Sequence, residues 1–187
     1  DMLGELPANL VTRILDTVDN SKRNDINLLL NYPDDSAGSI MTTEYVALKK
    51  DMTVRDAMRH IKDVGIHKET IYTCYVLERR KLIGIVTAKD LMTMDDDTKI
   101  GDIMETELIS VHTHTDQEEA ARLFSKYDFL ALPVLDADGL MVGIITVDDA
   151  IDVVVDEATE DMTVMAAVTP SEKSYFDTSV FAHAKNR

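Results

Sequence analysis

The chain has 187 residues, 45% of them apolar, and a formal net charge of −16, which is length enough to bury a core as one domain or two small ones. Its acidity, with a pI ≈ 4.5, excludes a nucleic-acid partner held through phosphates, because no basic patch is present to displace counterions. The lone cysteine, Cys74, excludes an internal disulfide and fits a reducing compartment, and no apolar run approaches the roughly 20 residues that cross a bilayer.

The chain opens at Asp1 with no secretory signal, as the interior of a longer protein would. Leu10, Ile14, Leu15 and Val18 keep one helical face. Ser21 is placed to cap a second helix carrying Ile26, Leu29 and Leu30, and Pro33 stops it. These short helices hold no core of their own and must pack on something else.

An internal repeat follows. S-I-M-T-T-E-Y-V-A-L from Ser39 returns as D-I-M-E-T-E-L-I-S-V from Asp102. T-V-R-D-A-M-R-H-I from Thr53 matches D-Q-E-E-A-A-R-L-F from Asp116, and K-L-I-G-I-V-T-A-K-D-L from Lys81 matches L-M-V-G-I-I-T-V-D-D-A from Leu140. Each copy reads as a short alternating strand, a helix, an apolar strand, a turn, a second apolar strand and a helix. The strand pairs are expected at residues 71–77 and 82–86, then 131–135 and 140–145, the second pair joined by D-A-D-G. A copy of about 60 residues is marginal alone, so the two should share an interior.

From Thr146 to Asp161 the sequence gathers seven carboxylates in sixteen residues. No lysine or arginine occurs between Lys126 and Lys173, and the 46 residues between them hold eleven acids. On a helix, Asp149, Asp152, Asp156 and Glu160 stack along one face, and Ile151, Val154 and Val155 recur at helical spacing. Like charges at i,i+4 each destabilise a helix by roughly 0.2–0.5 kcal/mol. Two explanations stay open: a solvated acidic face, or a site for hard divalent cations, which take carboxylate oxygens and water.

The repeat resembles a tandem pair of CBS (cystathionine beta-synthase) domains, a Bateman module, from residue 36 to about 157. The residues that carry this are the Ile-Met opening each copy and the G-h-h-T-x-x-D closing it: Gly84, Thr87, Asp90, then Gly143, Thr146, Asp149. S-A-G-S-I-M-T-T-E-Y-V at Ser36, D-F-L-A-L-P-V-L-D at Asp128, T-V-D-D-A-I-D-V-V at Thr146 and E-A-T-E-D at Glu157 are further similar to the cytosolic part of MgtE-type magnesium channels. The fold this implies is α/β, also describable as α+β. Residues 1–35 would be the last helices of a truncated N-domain, 36–98 and 99–157 the two CBS domains, and 158–187 a long connecting "plug" helix leading to a membrane pore.

What the resemblance implies about sites is specific. It places magnesium ligands at Asp128, Asp149, Asp152, Glu157, Glu160 and Asp161, with Asp116 and Glu118 as further candidates and backbone oxygens near Gly38 and Ser125 completing shells. Acids in a helix's first turn are common without any metal, which weighs against Asp116 and Glu118. Magnesium takes only one or two carboxylates per ion and keeps its waters, so several hydrated ions suit this spread better than one caged ion. The resemblance also implies ATP in one cleft, at Tyr72, Lys89, Asp90 and Phe129: aromatic faces for the base, Lys89 for phosphate, Asp90 for the ribose hydroxyls. Lys89 stands where better-studied members carry arginine, and a lysine loses the bidentate geometry. The same Thr and Asp also suit a helix cap, so nucleotide binding stays open.

The implied function is a magnesium-sensing gating region on the cytoplasmic face of the membrane. It would be a homodimer whose attached pore closes when Mg2+ neutralises acids between the CBS pair, the plug and the N-domain. The alternative is an adenine-nucleotide sensor regulating another transporter or an enzyme. His112 and His114 lack a third ligand nearby and are expected at the surface. No Ser-His-Asp or Cys-His set has supporting context, and a metal-dependent hydrolase is disfavoured because the acids crowd one helix without a nucleophile, so no enzyme activity is expected.

Overall fold

The structure, a computed structural model, describes residues 32–165. The helices expected before Pro33 and the segment beyond residue 165 lie outside the described residues. The first repeat runs β1 (Val46–Leu48), α1 (Val54–Val64), β2 (Thr73–Glu78), β3 (Lys81–Thr87) and α2 (Ala88–Thr93). After a one-turn helix α3 (Ile100–Ile103), the second runs β4 (Val111–His112), α4 (Gln117–Tyr127), β5 (Ala131–Leu135), β6 (Met141–Thr146) and α5 (Val147–Met165).

Each repeat builds a three-stranded sheet, in order β1-β2-β3 and β4-β5-β6. In both, the first pair is parallel and the second antiparallel. Both antiparallel pairs slip register at the corresponding place, between Val76 and Leu77 and between Val134 and Leu135. The strand and helix order expected from the repeat is therefore the order observed.

Local chemistry sets the helix starts. The Thr53 hydroxyl caps α1 by accepting from the Asp56 N–H at 3.2 Å, and Val54, Ala57 and Ile61 turn one face of α1 inward. Asp116 caps α4 by accepting from the N–H groups of Glu118 at 2.9 Å and Glu119 at 3.2 Å. Along β2 the side chains alternate: Cys74 and Val76 enter the first repeat's core, while Tyr75 faces the layer between the sheets. Burial pushes the Cys74 thiol up to about 12, so it stays protonated and inert at neutral pH.

The opening Ile-Met of each repeat does not serve its own copy. Thr42 exchanges backbone hydrogen bonds with Ile144 of the second repeat, at 2.8 and 2.9 Å, and Glu105 does the same with Ile85 of the first, at 3.0 and 2.9 Å. Met41 thereby joins the second repeat's core, and Met104 packs on the first's. The signature glycines make this possible. A Cβ on Gly84 would lie 2.6 Å from the Met104 sulfur, and one on Gly143 would lie 2.7 Å from both the Met41 sulfur and the Thr42 carbonyl oxygen. Ala131, Met141, Ile144 and Tyr75 fill the layer where the two sheets meet.

Gly143→Ala should therefore destabilise the chain by about 1–3 kcal/mol in chemical denaturation, because a backbone oxygen must shift. Gly84→Ala should cost less, because only a flexible methionine must give way. Equal losses at the two positions would contradict this account of the exchange.

Candidate functional site

The acidic stretch forms α5, a single helix from Val147 to Met165. It turns Ala150 and Val153 inward. Ile151, Val154 and Val155, the apolar set conspicuous in the sequence, instead face outward and are 57%, 52% and 56% exposed. The helix thus presents two different surfaces, one carboxylate-rich and one apolar.

On the first surface, Asp149, Asp152, Asp156, Glu157 and Glu160 line a groove of about 540 Å³. Its opposite wall is the segment that precedes β1: Asp35, Ser39, Ile40 and Met41. That wall stands there because the segment is hydrogen-bonded to the second repeat, Ala37 N–H to Thr115 O at 2.7 Å and Gly38 N–H to Thr113 O at 2.9 Å. Gly38 is required by space, since a Cβ there would sit 2.5 Å from the Tyr32 ring. Among the described residues, six carboxylates and no cationic side chain line the groove. Gln117 supplies the polar bridge, its Nε2 donating to Glu157 Oε1 at 2.9 Å and to Asp35 Oδ1 at 3.3 Å.

The remaining metal candidates are distributed differently. Asp149 lines the groove but already accepts from the Thr146 hydroxyl at 2.6 Å. Asp161 lies on α5 outside the groove lining. Asp116 is occupied as the α4 cap, and Glu118 is paired with Arg122 at 2.6 Å. Asp128 and Ser125 border the apolar surface instead, a cavity of about 480 Å³ lined also by Phe129, Leu130, Ile151 and Val155. Asp128 ends α4 in a left-handed conformation, φ 55°. Among the described residues no three His, Cys, Asp or Glu side chains converge as a ready-made cage. Such spacing suits hydrated divalent ions, which keep most of their waters, better than stripped ones.

The nucleotide candidates fall into two places. Tyr72, Lys89 and Asp90 surround the start of α2. The Tyr72 carbonyl accepts from the Ala88 N–H at 2.9 Å. The Asp90 carboxylate accepts from the Thr87 N–H at 3.0 Å and hydroxyl at 2.6 Å, closing a capping box. Phe129 lies across the repeat boundary, stacked on Tyr127 with ring centroids 5.4 Å apart. It lines a cleft of about 390 Å³ with Thr73, Tyr75 and Thr87, and Tyr72, Lys89 and Asp90 are not in that lining. His112 and His114 are both exposed.

Sequence reasoning passed over Asp35, Gln117 and Tyr75. Asp35 enters the groove because the segment before β1 crosses to the second repeat, and Gln117 because α4 packs against α5, contacts with no local signature.

A family profile for the CBS domain matches residues 37–96 and 100–156. The magnesium transporter MgtE of Thermus thermophilus is 42% identical over 164 residues, covering 87% of this chain and 36% of that protein. The chain thus spans about a third of that relative's length. A crystal structure of the soluble part of a magnesium transporter superposes with TM-score 0.81 at 43% identity, over 84% of this chain and 62% of that one. The cytosolic domain of the Mg2+ channel MgtE in complex with ATP superposes with TM-score 0.76 at 42% identity, over 80% of this chain and 60% of that one.

The groove itself makes a prediction that needs no ligand. Asp156 has i,i+4 carboxylate neighbours at Asp152 and Glu160. Asp156→Asn should raise stability in chelator at low salt by about 0.4–1 kcal/mol, two such contacts' worth. A melt showing the variant equal to or below wild type would contradict repulsion along the acidic face of α5.

Proposed function

This chain belongs to the CBS-domain family as a tandem pair, and on that premise we propose that it is the magnesium-sensing gating region of an MgtE-type magnesium transporter. The single observation that carries the proposal is the groove between α5 and the segment before β1, with six carboxylates and no cation. Hydrated Mg2+ ions at Asp149, Asp152, Glu157 and Glu160 would neutralise it, with Asp161 on the same helix as a further ligand. Neutralised, α5 and the N-terminal segment draw together. Without the ions, repulsion spreads them.

Magnitudes favour several weak sites over one tight site. Moving a two-state element from mostly open to mostly closed takes roughly 5.5 kcal/mol of differential binding. One ion at ten times its dissociation constant supplies about 1.4 kcal/mol. About four such ions, bound only in the closed state, suffice.

The outward apolar surface of α5 suits a second copy of the chain. Ile151, Val154, Val155 and Leu130, each more than half exposed, would seat against their symmetry mates in an isologous dimer. Asp128 and Ser125 would then lie at the subunit boundary. No helix among the described residues is long and apolar enough to cross a membrane. The pore, in this proposal, belongs to the part of the transporter that this chain does not span, and the region works at the cytoplasmic face.

A second reading is favoured by the inter-repeat cleft. Its size is in the range that small-molecule sites occupy, and Phe129 offers an aromatic face to a base. That a similar channel domain is in complex with ATP supports an adenine nucleotide as a ligand of this fold. The two readings are compatible, since groove and cleft have different linings.

Magnesium titration of the chain, followed by small-angle scattering and limited proteolysis, should show compaction and protection within the millimolar range. Replacing Asp149 and Asp152 with Asn and Glu157 with Gln should abolish that response while leaving adenine-nucleotide binding, read by calorimetry in chelator, in place. Unchanged size and cleavage from micromolar to tens of millimolar magnesium would overturn the sensing proposal.

A further inference from the structure

We propose that the Tyr75 hydroxyl is a specificity-determining group of the inter-repeat cleft, donating a hydrogen bond to an acceptor atom on the edge of a purine base. The proposal rests on the nucleotide reading of that cleft and names the part of the ligand that meets this wall.

Tyr75 lines the cleft from β2, on the face of the strand opposite Cys74 and Val76. The residue is 0% exposed, yet its hydroxyl oxygen has no hydrogen-bond partner. Among the described residues it is the one buried side-chain polar atom left so. Leaving a buried hydroxyl unpaired is costly, and folded proteins satisfy nearly all such groups. Tyr45 stands edge-on to the Tyr75 ring at 5.8 Å but directs its own hydroxyl to the Met141 carbonyl at 3.5 Å. Burial also raises the Tyr75 phenol above its ordinary value, so it remains a proton donor throughout the neutral range.

The rest of the cleft says what kind of acceptor it meets. Phe129 and Tyr127 form a nearly parallel aromatic pair, 23° between planes, and Leu108 and Ile109 add apolar wall. Among the described residues no lysine or arginine lines the cleft, while Glu105 and Glu107 do. Glu105 Oε1 already accepts from the N–H groups of Thr106 and Glu107, both at 2.9 Å. Apolar walls and negative charge suit the flat, uncharged base of a nucleotide and leave its phosphates to residues outside this lining. A purine fits: it stacks, it is neutral, and its ring nitrogens accept hydrogen bonds.

The test is calorimetric titration of adenosine, and of benzimidazole riboside, into wild type and Tyr75→Phe. The analogue keeps the fused-ring shape but lacks the nitrogens of the six-membered ring. Wild type should prefer adenosine by about tenfold or more. Tyr75→Phe should lose most of that preference, while its melting temperature without ligand equals or exceeds wild type. A variant that keeps the full preference overturns the role of Tyr75 and leaves the nucleotide reading standing. A variant that melts well below wild type overturns it too, because the hydroxyl then has a structural partner. Wild type binding neither compound overturns both the inference and the nucleotide reading.

Discussion

Two methionines laid over two glycines hold this protein together. Met104 covers Gly84 and Met41 covers Gly143, each methionine arriving from the other repeat. Neither repeat owns its complete core, so the pair folds as one body. The exchange also decides where the chain before β1 must run. It lies along the second repeat, and its residues Asp35 to Met41 become the wall facing the carboxylates of α5. A packing constraint thus creates an electrostatic problem, because it brings a further acid toward an already acidic helix.

The molecule compensates that charge only slightly. Gln117 bridges Glu157 and Asp35 through a neutral amide, and Thr146 satisfies one oxygen of Asp149. Hydrogen bonds of this kind orient carboxylates without cancelling them. Among the described residues no cation lines the groove, and Arg122 pairs instead with Glu118 and Arg55 with Asp96 and Asp97. A hydrated divalent ion is the counter-charge that such spaced carboxylates accept. The inter-repeat cleft has mainly apolar and aromatic walls, with Glu105 and Glu107 in its lining beside one unpaired hydroxyl.

Much of this was legible in the sequence because it is local or repeated. Hydrophobic alternation marked the strands, Asp116 and Glu118 marked the start of a helix, and the duplicated Ile-Met and Gly-h-h-Thr-x-x-Asp elements marked the pair. The acidic face of α5 followed from spacing alone, and the groove does gather Asp149, Asp152, Asp156 and Glu160. What stayed hidden depends on long-range contact. Nothing near Met41 says that it serves the second repeat's core. Ile151, Val154 and Val155 have core-like spacing, yet Ala150 and Val153 take the inward positions because α5 approaches the sheet along its small-residue side. Asp128 reads as one acid among many until the backbone shows it ending α4 on the apolar side. Tyr75 looks like any strand aromatic until its hydroxyl is found without a partner.

The central claim is that divalent cations, rather than salt in general, supply the missing counter-charge in the α5 groove. The most direct measurement is the thermal midpoint of the chain against magnesium concentration at constant ionic strength, with sodium making up the balance. The account predicts a rise through the millimolar range that sodium alone does not reproduce. Identical midpoints in magnesium and in sodium of matched ionic strength would contradict it.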